Sequence, residues 1–195
     1  MRIDYIMLVI EGNLDNVVSK KLISTYASKI DIRRVIQLGG RSEIQKRINK
    51  YNQAAHILPF LVLVDLDTDE CPPILINDWL PQRNPHLLLR IAVRQVEAWL
   101  LADREAIADF LNVGLNRIPV QSETIDKTPE LIMVVARKSR KKIIRESIPP
   151  SGETAKRGRD YNGQLSRFVM EQWNPERARK NSPSLDKTIL ALQKL

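Results

Sequence analysis

The chain is expected to fold as an α/β protein, with a mainly parallel four-stranded sheet flanked by helices and a helical C-terminal region. Three observations lead to this expectation. The run Ile57-Leu58-Pro59-Phe60-Leu61-Val62-Leu63-Val64 is apolar, has four β-branched or aromatic residues among its eight, and ends abruptly at Asp65 and Asp67. It is too short to span a membrane and has the character of a strand buried on both faces, as in the middle of a parallel sheet. The run Asp4 to Ile10 repeats the design and also ends in an acid, Glu11, followed by Gly12. Between the two, helical and extended patterns alternate as strand, helix, strand, helix, strand, the order that builds a parallel sheet with helices on its faces.

Each element has a local reason. After Gly12, Asn13 or Asp15 is placed to cap a helix over 14–28, where Leu14, Val17, Val18, Leu22 and Ile23 recur at helical spacing and Lys20, Lys21 and Lys29 face outward. Residues 30–38 form a short strand and Gly39-Gly40 a turn. Ser42 is then expected to cap a helix over 43–52 with Ile44 and Ile48 inward. Pro72-Pro73 ends extended structure and permits a helix from Ile74. Residues 86–93 return to strand character, 95–103 are rich in helix formers, and a helix is expected over 104–112. Beyond Pro119 the pattern is helical, over 129–138, 159–173 and 184–195, with a polar loop or linker over 147–158 that holds Pro149, Pro150, Gly152 and Gly158.

The formal net charge is +8 and the sequence pI about 9.7. Thirteen Lys and Arg stand against five Asp and Glu between Arg137 and Lys180, a surplus equal to the net charge of the whole chain. A polyanionic partner, nucleic acid before membrane, is the expectation. A single cysteine, Cys71, excludes an intramolecular disulfide and a cysteine-based zinc site, and two histidines leave little for a histidine-rich one. No signal-peptide pattern opens the sequence and no run reaches membrane-spanning length, so a cytoplasmic location is expected.

Ligands of open α/β sheets bind at the carboxyl ends of the strands, where Glu11, Asp65 and Asp67 emerge. Three carboxylates gathered there form a hard oxygen donor set suited to Mg²⁺ or Mn²⁺. If extended structure persists to Asp67, residues 65 and 67 point the same way and reach one cation together. The alternative is that these are solvated acids capping helices and turning loops. Arg90 and Arg94, four apart, are placed either to hold a phosphate or to neutralise the carboxylates. Gly39-Gly40-Arg41-Ser42 lacks the P-loop pattern and is read as a plain turn, and Trp79 and Trp99 are read as core. The basic run Arg137, Lys138, Arg140, Lys141, Lys142 and Arg145, with Lys156, Arg157 and Arg159 after it, is the expected phosphate-contacting surface, and Tyr161 beside it is a candidate base-stacking platform.

The stretches Val9-Ile10-Glu11-Gly12 with Asp15, and Val62-Leu63-Val64-Asp65-Leu66-Asp67, resemble the two motifs of the TOPRIM domain, shared by primases, topoisomerases and OLD-family nucleases. The stretch from Arg90 to Asp103, with its Glu97-Ala98-Trp99-Leu100-Leu101-Ala102-Asp103 core, resembles small bacterial TOPRIM-like proteins that accompany ABC-type ATPases in phage-defence-like settings. The resemblance implies a TOPRIM-like (Rossmann-like) core over 1–115 and a helical, basic region over 116–195. It also implies Glu11 as general base or metal ligand, Asp65 and Asp67 as metal ligands, and Asp69 as an auxiliary ligand. Glu97 is a further candidate acid, or else a helix N-terminal glutamate favoured by the macrodipole. Gln95 departs from the pattern, standing where a second acid is common. The expected function is a Mg²⁺- or Mn²⁺-dependent nuclease acting on DNA or RNA, with an ABC-type ATPase as a further partner. The alternative is a non-catalytic nucleic-acid-binding or interaction subunit of an ATPase-containing complex.

Overall fold

The alternating apolar runs become a four-stranded, wholly parallel sheet in the computed structural model, which describes residues 4–69, 71–151 and 156–195. In chain order the elements are β1 (Tyr5–Ile10), α1 (Asn13–Tyr26), β2 (Asp31–Gln37), α2 (Arg41–Ala54), β3 (Phe60–Asp65), α3 (Pro72–Trp79) and β4 (Leu87–Ala92). The strands are ordered β2-β1-β3-β4, with β1 paired to β3 from Met7 opposite Phe60 to Val9 opposite Val62. The expected α/β class and the parallel four-stranded sheet are therefore what the chain adopts.

Both faces of the sheet are covered, which explains why the central strands are apolar at every position rather than at alternate ones. Met7, Val9, Phe60, Val62, Val64, Leu87, Leu89 and Ile91 form one core cluster with Ile44 and Ile48 of α2 and Leu75 and Trp79 of α3. Their neighbours Ile6, Leu8, Ile10, Leu61 and Leu63 point the other way and are as deeply buried.

Caps differ in detail from the expectation. Gly12, not Asn13, precedes α1, and Asp15 reaches back to accept the Gly12 N–H at 2.8 Å. Gly40, not Ser42, precedes α2. Pro72 opens α3, two residues ahead of Ile74.

The remaining helices are α4 (Val96–Ala102), α5 (Arg104–Leu111), α6 (Thr128–Ala136), α7 (Lys142–Ser147), α8 (Tyr161–Glu171), α9 (Pro175–Ala178) and α10 (Pro183–Leu192). The chain divides into two units, one made of residues 1–93 and 186–195 and the other of residues 94–185. The boundary thus falls at Val93, 22 residues before the expected 115/116, and the last ten residues join the unit that holds the sheet. The reason is local to the second unit, where α4 packs on α5, α6 and α9.

That second unit is built around the stretch 97–103. The Trp99 indole donates to Ser184 Oγ at 2.7 Å, Ser184 Oγ donates to Glu123 Oε1 at 2.7 Å, and the Trp173 indole donates to the Trp99 carbonyl at 3.1 Å. Asp103, 2% exposed, takes a two-pronged ion pair from Arg177, with Nε–Oδ1 and Nη2–Oδ2 both at 2.9 Å, and accepts the Asn174 N–H at 2.8 Å. Phe110 and Phe168 meet with ring centroids 5.1 Å apart. Trp79 and Trp99 are core residues, as expected. Among the described residues no helix is long and apolar enough to cross a membrane. Residues 152–155 of the expected loop lie outside the described ones.

Candidate metal centre and basic surface

The strand order places the chemistry. After β1 the chain moves outward to β2, then returns past β1 to β3 on its other side, so the carboxyl ends of β1 and β3 flank the switch point at which doubly wound sheets bind ligands. Glu11 leaves the end of β1 and Asp65 closes β3. The two ends are tied directly, since Glu11 Oε1 accepts the Asp65 backbone N–H at 3.0 Å.

Glu11 is also wrapped from the β2 side. Its carbonyl accepts the Gly39 N–H at 3.0 Å, Gly39 takes φ +73°, and the Arg41 backbone N–H donates to the Glu11 carboxylate. Burial pushes the Glu11 carboxyl above its ordinary range, against the opposing donation from Asp65. The nearby charge of Asp67 raises it further and that of Arg41 lowers it.

Two expectations change here. β3 ends at Asp65, and Asp67 has φ 53°, a left-handed conformation, so the extended geometry that would aim residues 65 and 67 the same way does not reach Asp67. Arg41, read in the sequence only as part of a plain turn, stands among the acids. Its guanidinium donates to the Leu66 carbonyl at 3.1 Å, pairs with Asp69, lies 4.0 Å from Asp67 and sits 5.3 Å over the Trp79 ring. Asp69 is thereby engaged by a cation of the protein itself.

Whether a metal fits is decided by the donors. Among the described residues no three His, Cys, Asp or Glu side chains gather in a metal-holding arrangement. Mg²⁺, however, is commonly held by one or two carboxylates together with water and substrate phosphate. The charges of Glu11 and Asp67 disfavour one another, so these are the two acids whose repulsion a cation between them would relieve.

Glu97 belongs to the second unit. It is 3% exposed, accepts the Tyr161 hydroxyl at 3.0 Å and lies 3.6 Å from the Arg157 guanidinium, which also covers the Tyr161 ring at 4.7 Å. Burial raises its carboxyl, and Arg157 and Tyr161 oppose that rise. Tyr161 is itself buried and its hydroxyl is pushed upward by burial and by Glu97, so it is not an exposed stacking platform. Gln95 accepts the Thr128 hydroxyl at 3.3 Å.

Arg90 and Arg94 have different partners. Arg90 lies inside β4 in the first unit and donates to the Leu89 and Lys187 carbonyls. Arg94 opens the second unit with φ 61° and pairs with Asp126 at 3.2 Å.

The basic run is divided between structural work and solvent. Lys141 donates to the Phe110 and Asp109 carbonyls at the end of α5, Arg145 donates to the Ser139 carbonyl at 2.8 Å, and Lys142 lies 3.9 Å from Glu146. Arg137, Lys138, Arg140, Lys156 and Arg159 are exposed.

No curated protein and no solved structure matches the chain significantly. A family model does match it, over residues 10–193, so both strand-end acids and the whole second unit fall within the match. The chain therefore belongs to the DUF4276 family, a domain of unknown function.

Proposed function

We propose that the protein is a Mg²⁺- or Mn²⁺-dependent enzyme of TOPRIM type that hydrolyses phosphodiester bonds in DNA or RNA. The observation that carries this reading is the meeting of Glu11 and the Asp65-Leu66-Asp67 turn at the switch point of a 2-1-3-4 parallel sheet, with Glu11 Oε1 on the Asp65 N–H. Glu11 and Asp67 would hold the ion, which when bound polarises the phosphoryl oxygens and eases ionisation of water. The residues of the chain supply the rest. The N–H groups of Asp65 and Arg41 orient the Glu11 carboxylate for that role. The exposed cations of the basic run give salt-sensitive, sequence-independent affinity for the backbone. An ABC-type ATPase partner in phage defence belongs to the same reading, on resemblance alone.

One observation favours a second reading. Arg41 already brings positive charge to Asp67 and Asp69, as it would in a non-catalytic nucleic-acid-binding or interaction subunit of an ATPase-containing complex. Cleavage of single- and double-stranded DNA and RNA with Mg²⁺, Mn²⁺ or EDTA, beside calorimetric titration of the ion, separates the two. The nuclease reading expects metal-dependent cleavage and metal uptake, both lost in Asp67→Asn and Glu11→Gln. Absence of cleavage together with metal uptake that does not depend on Glu11 or Asp67 refutes it.

A further inference from the structure

β4 is the last strand of the sheet, with β3 on one side only. Its side chains split by parity. Leu87, Leu89 and Ile91 enter the core cluster, while Leu88 and Arg90 face the other way, toward a groove of about 630 Å³. Lys187 and Leu190 of α10, Lys194 just beyond its end, and His86 also line the groove. No Asp or Glu side chain lines this groove.

Arg90 is the unusual member. Its guanidinium is half-buried, yet among the described residues it has no carboxylate partner; it donates only to the Leu89 and Lys187 carbonyls, at 2.8 and 3.4 Å. The charge that bears on it is another cation, Arg83. A half-buried cation with like charge near it is unfavourable unless an anion completes the site.

We propose that the groove between β4 and α10 is a binding site for a phosphate-bearing nucleotide, its phosphate held by Arg90, Lys187 and Lys194 and its base laid against Leu88 and Leu190. Several convergent cations exceed what a single carboxylate neutralises, and the planar fork of an arginine matches phosphate oxygens two at a time. The volume lies within the range of about 300–1,000 Å³ usual for small-ligand sites. The chemistry admits two sources, a free nucleotide or a unit of a nucleic-acid strand. This site involves none of the strand-end acids, so it stands or falls separately from the nuclease reading.

The test is binding of ATP and of an eight-residue oligothymidylate to the full chain in EDTA, by calorimetry, with oligoglutamate as an anionic control. Arg90→Gln is expected to weaken binding about tenfold or more, the loss usual for a charge-assisted contact. Lys187→Gln/Lys194→Gln, at two exposed positions where folding is not at stake, is expected to weaken it several-fold. Tighter binding of ATP identifies a free nucleotide and tighter binding of the oligomer identifies a strand, and either supports the site. Binding of neither probe overturns the proposal. So does binding that the lysine double variant leaves unchanged, or an equal affinity for oligoglutamate.

Discussion

Replacing Asp103 with alanine removes the partner of a charge held at the corner between α4 and α5. The carboxylate is 2% exposed and accepts two hydrogen bonds from Arg177 and one from the Asn174 N–H, which leads into α9. Breaking a fully buried ion pair by deleting one partner costs about 3–5 kcal/mol. Arg177 is 48% exposed and can turn to water once released, so the expected loss is smaller, about 2–4 kcal/mol. Asp103→Asn keeps an acceptor for Asn174 and loses only the charge, for which about 1–2 kcal/mol is expected. Urea unfolding followed by tryptophan fluorescence reports on this directly, because Trp99 and Trp173 both lie in the same unit as the pair. A double-mutant cycle with Arg177→Ala isolates the pair itself. A coupling energy below about 0.5 kcal/mol, within the usual error of additivity, would refute the view that this pair holds the second unit together.

Two further outcomes follow from the same unit. Burial raises the Glu97 carboxyl, so the folded state holds a proton that the unfolded chain has already released; stability is greatest below the ordinary carboxylate range and falls as pH rises through the raised value. Glu97→Gln is expected to flatten that decline in melting temperature measured in EDTA, whereas a wild-type advantage that grows with pH would show that Arg157 and Tyr161 outweigh burial. At Gly158, a Cβ would meet the Ser147 carbonyl oxygen at 2.2 Å and that of Ile148 at 2.5 Å, both fixed backbone atoms. Gly158→Ala is expected to destabilise by about 1–3 kcal/mol, as overpacking does, and an unchanged urea midpoint would contradict the close approach.

The sheet was legible in the sequence because strands buried on both faces must be apolar throughout, and because acids directly after such strands stand out. The helices α7 and α9, six and four residues long, were not, since neither completes enough turns to show a period. Arg41 escaped notice for another reason. Its partners Leu66 and Asp69 lie 25 and 28 residues away, so its place among the acids depends on the pairing of strands and not on any local motif. The left-handed turn at Asp67 is a backbone choice that an Asp-x-Asp spacing does not encode. The stretch 97–103 is distinctive in the sequence, but only Glu97 carries a candidate role there. The structure supplies one for the stretch, since Glu97, Trp99 and Asp103 each hold a partner at least 64 residues further along the chain.

The division of the chain has a consequence for synthesis. The unit that holds the sheet begins with β1 yet is completed by residues 186–195, after the whole of 94–185 has been made. A ribosome releasing this chain would present all four strands with the groove side of β4 still lacking Lys187, Leu190 and Lys194, while the intervening unit has every residue it needs to form. Of the two units, the one whose synthesis starts earlier is thus the later to be finished, and the site proposed beside β4 would come into being only with that closing step.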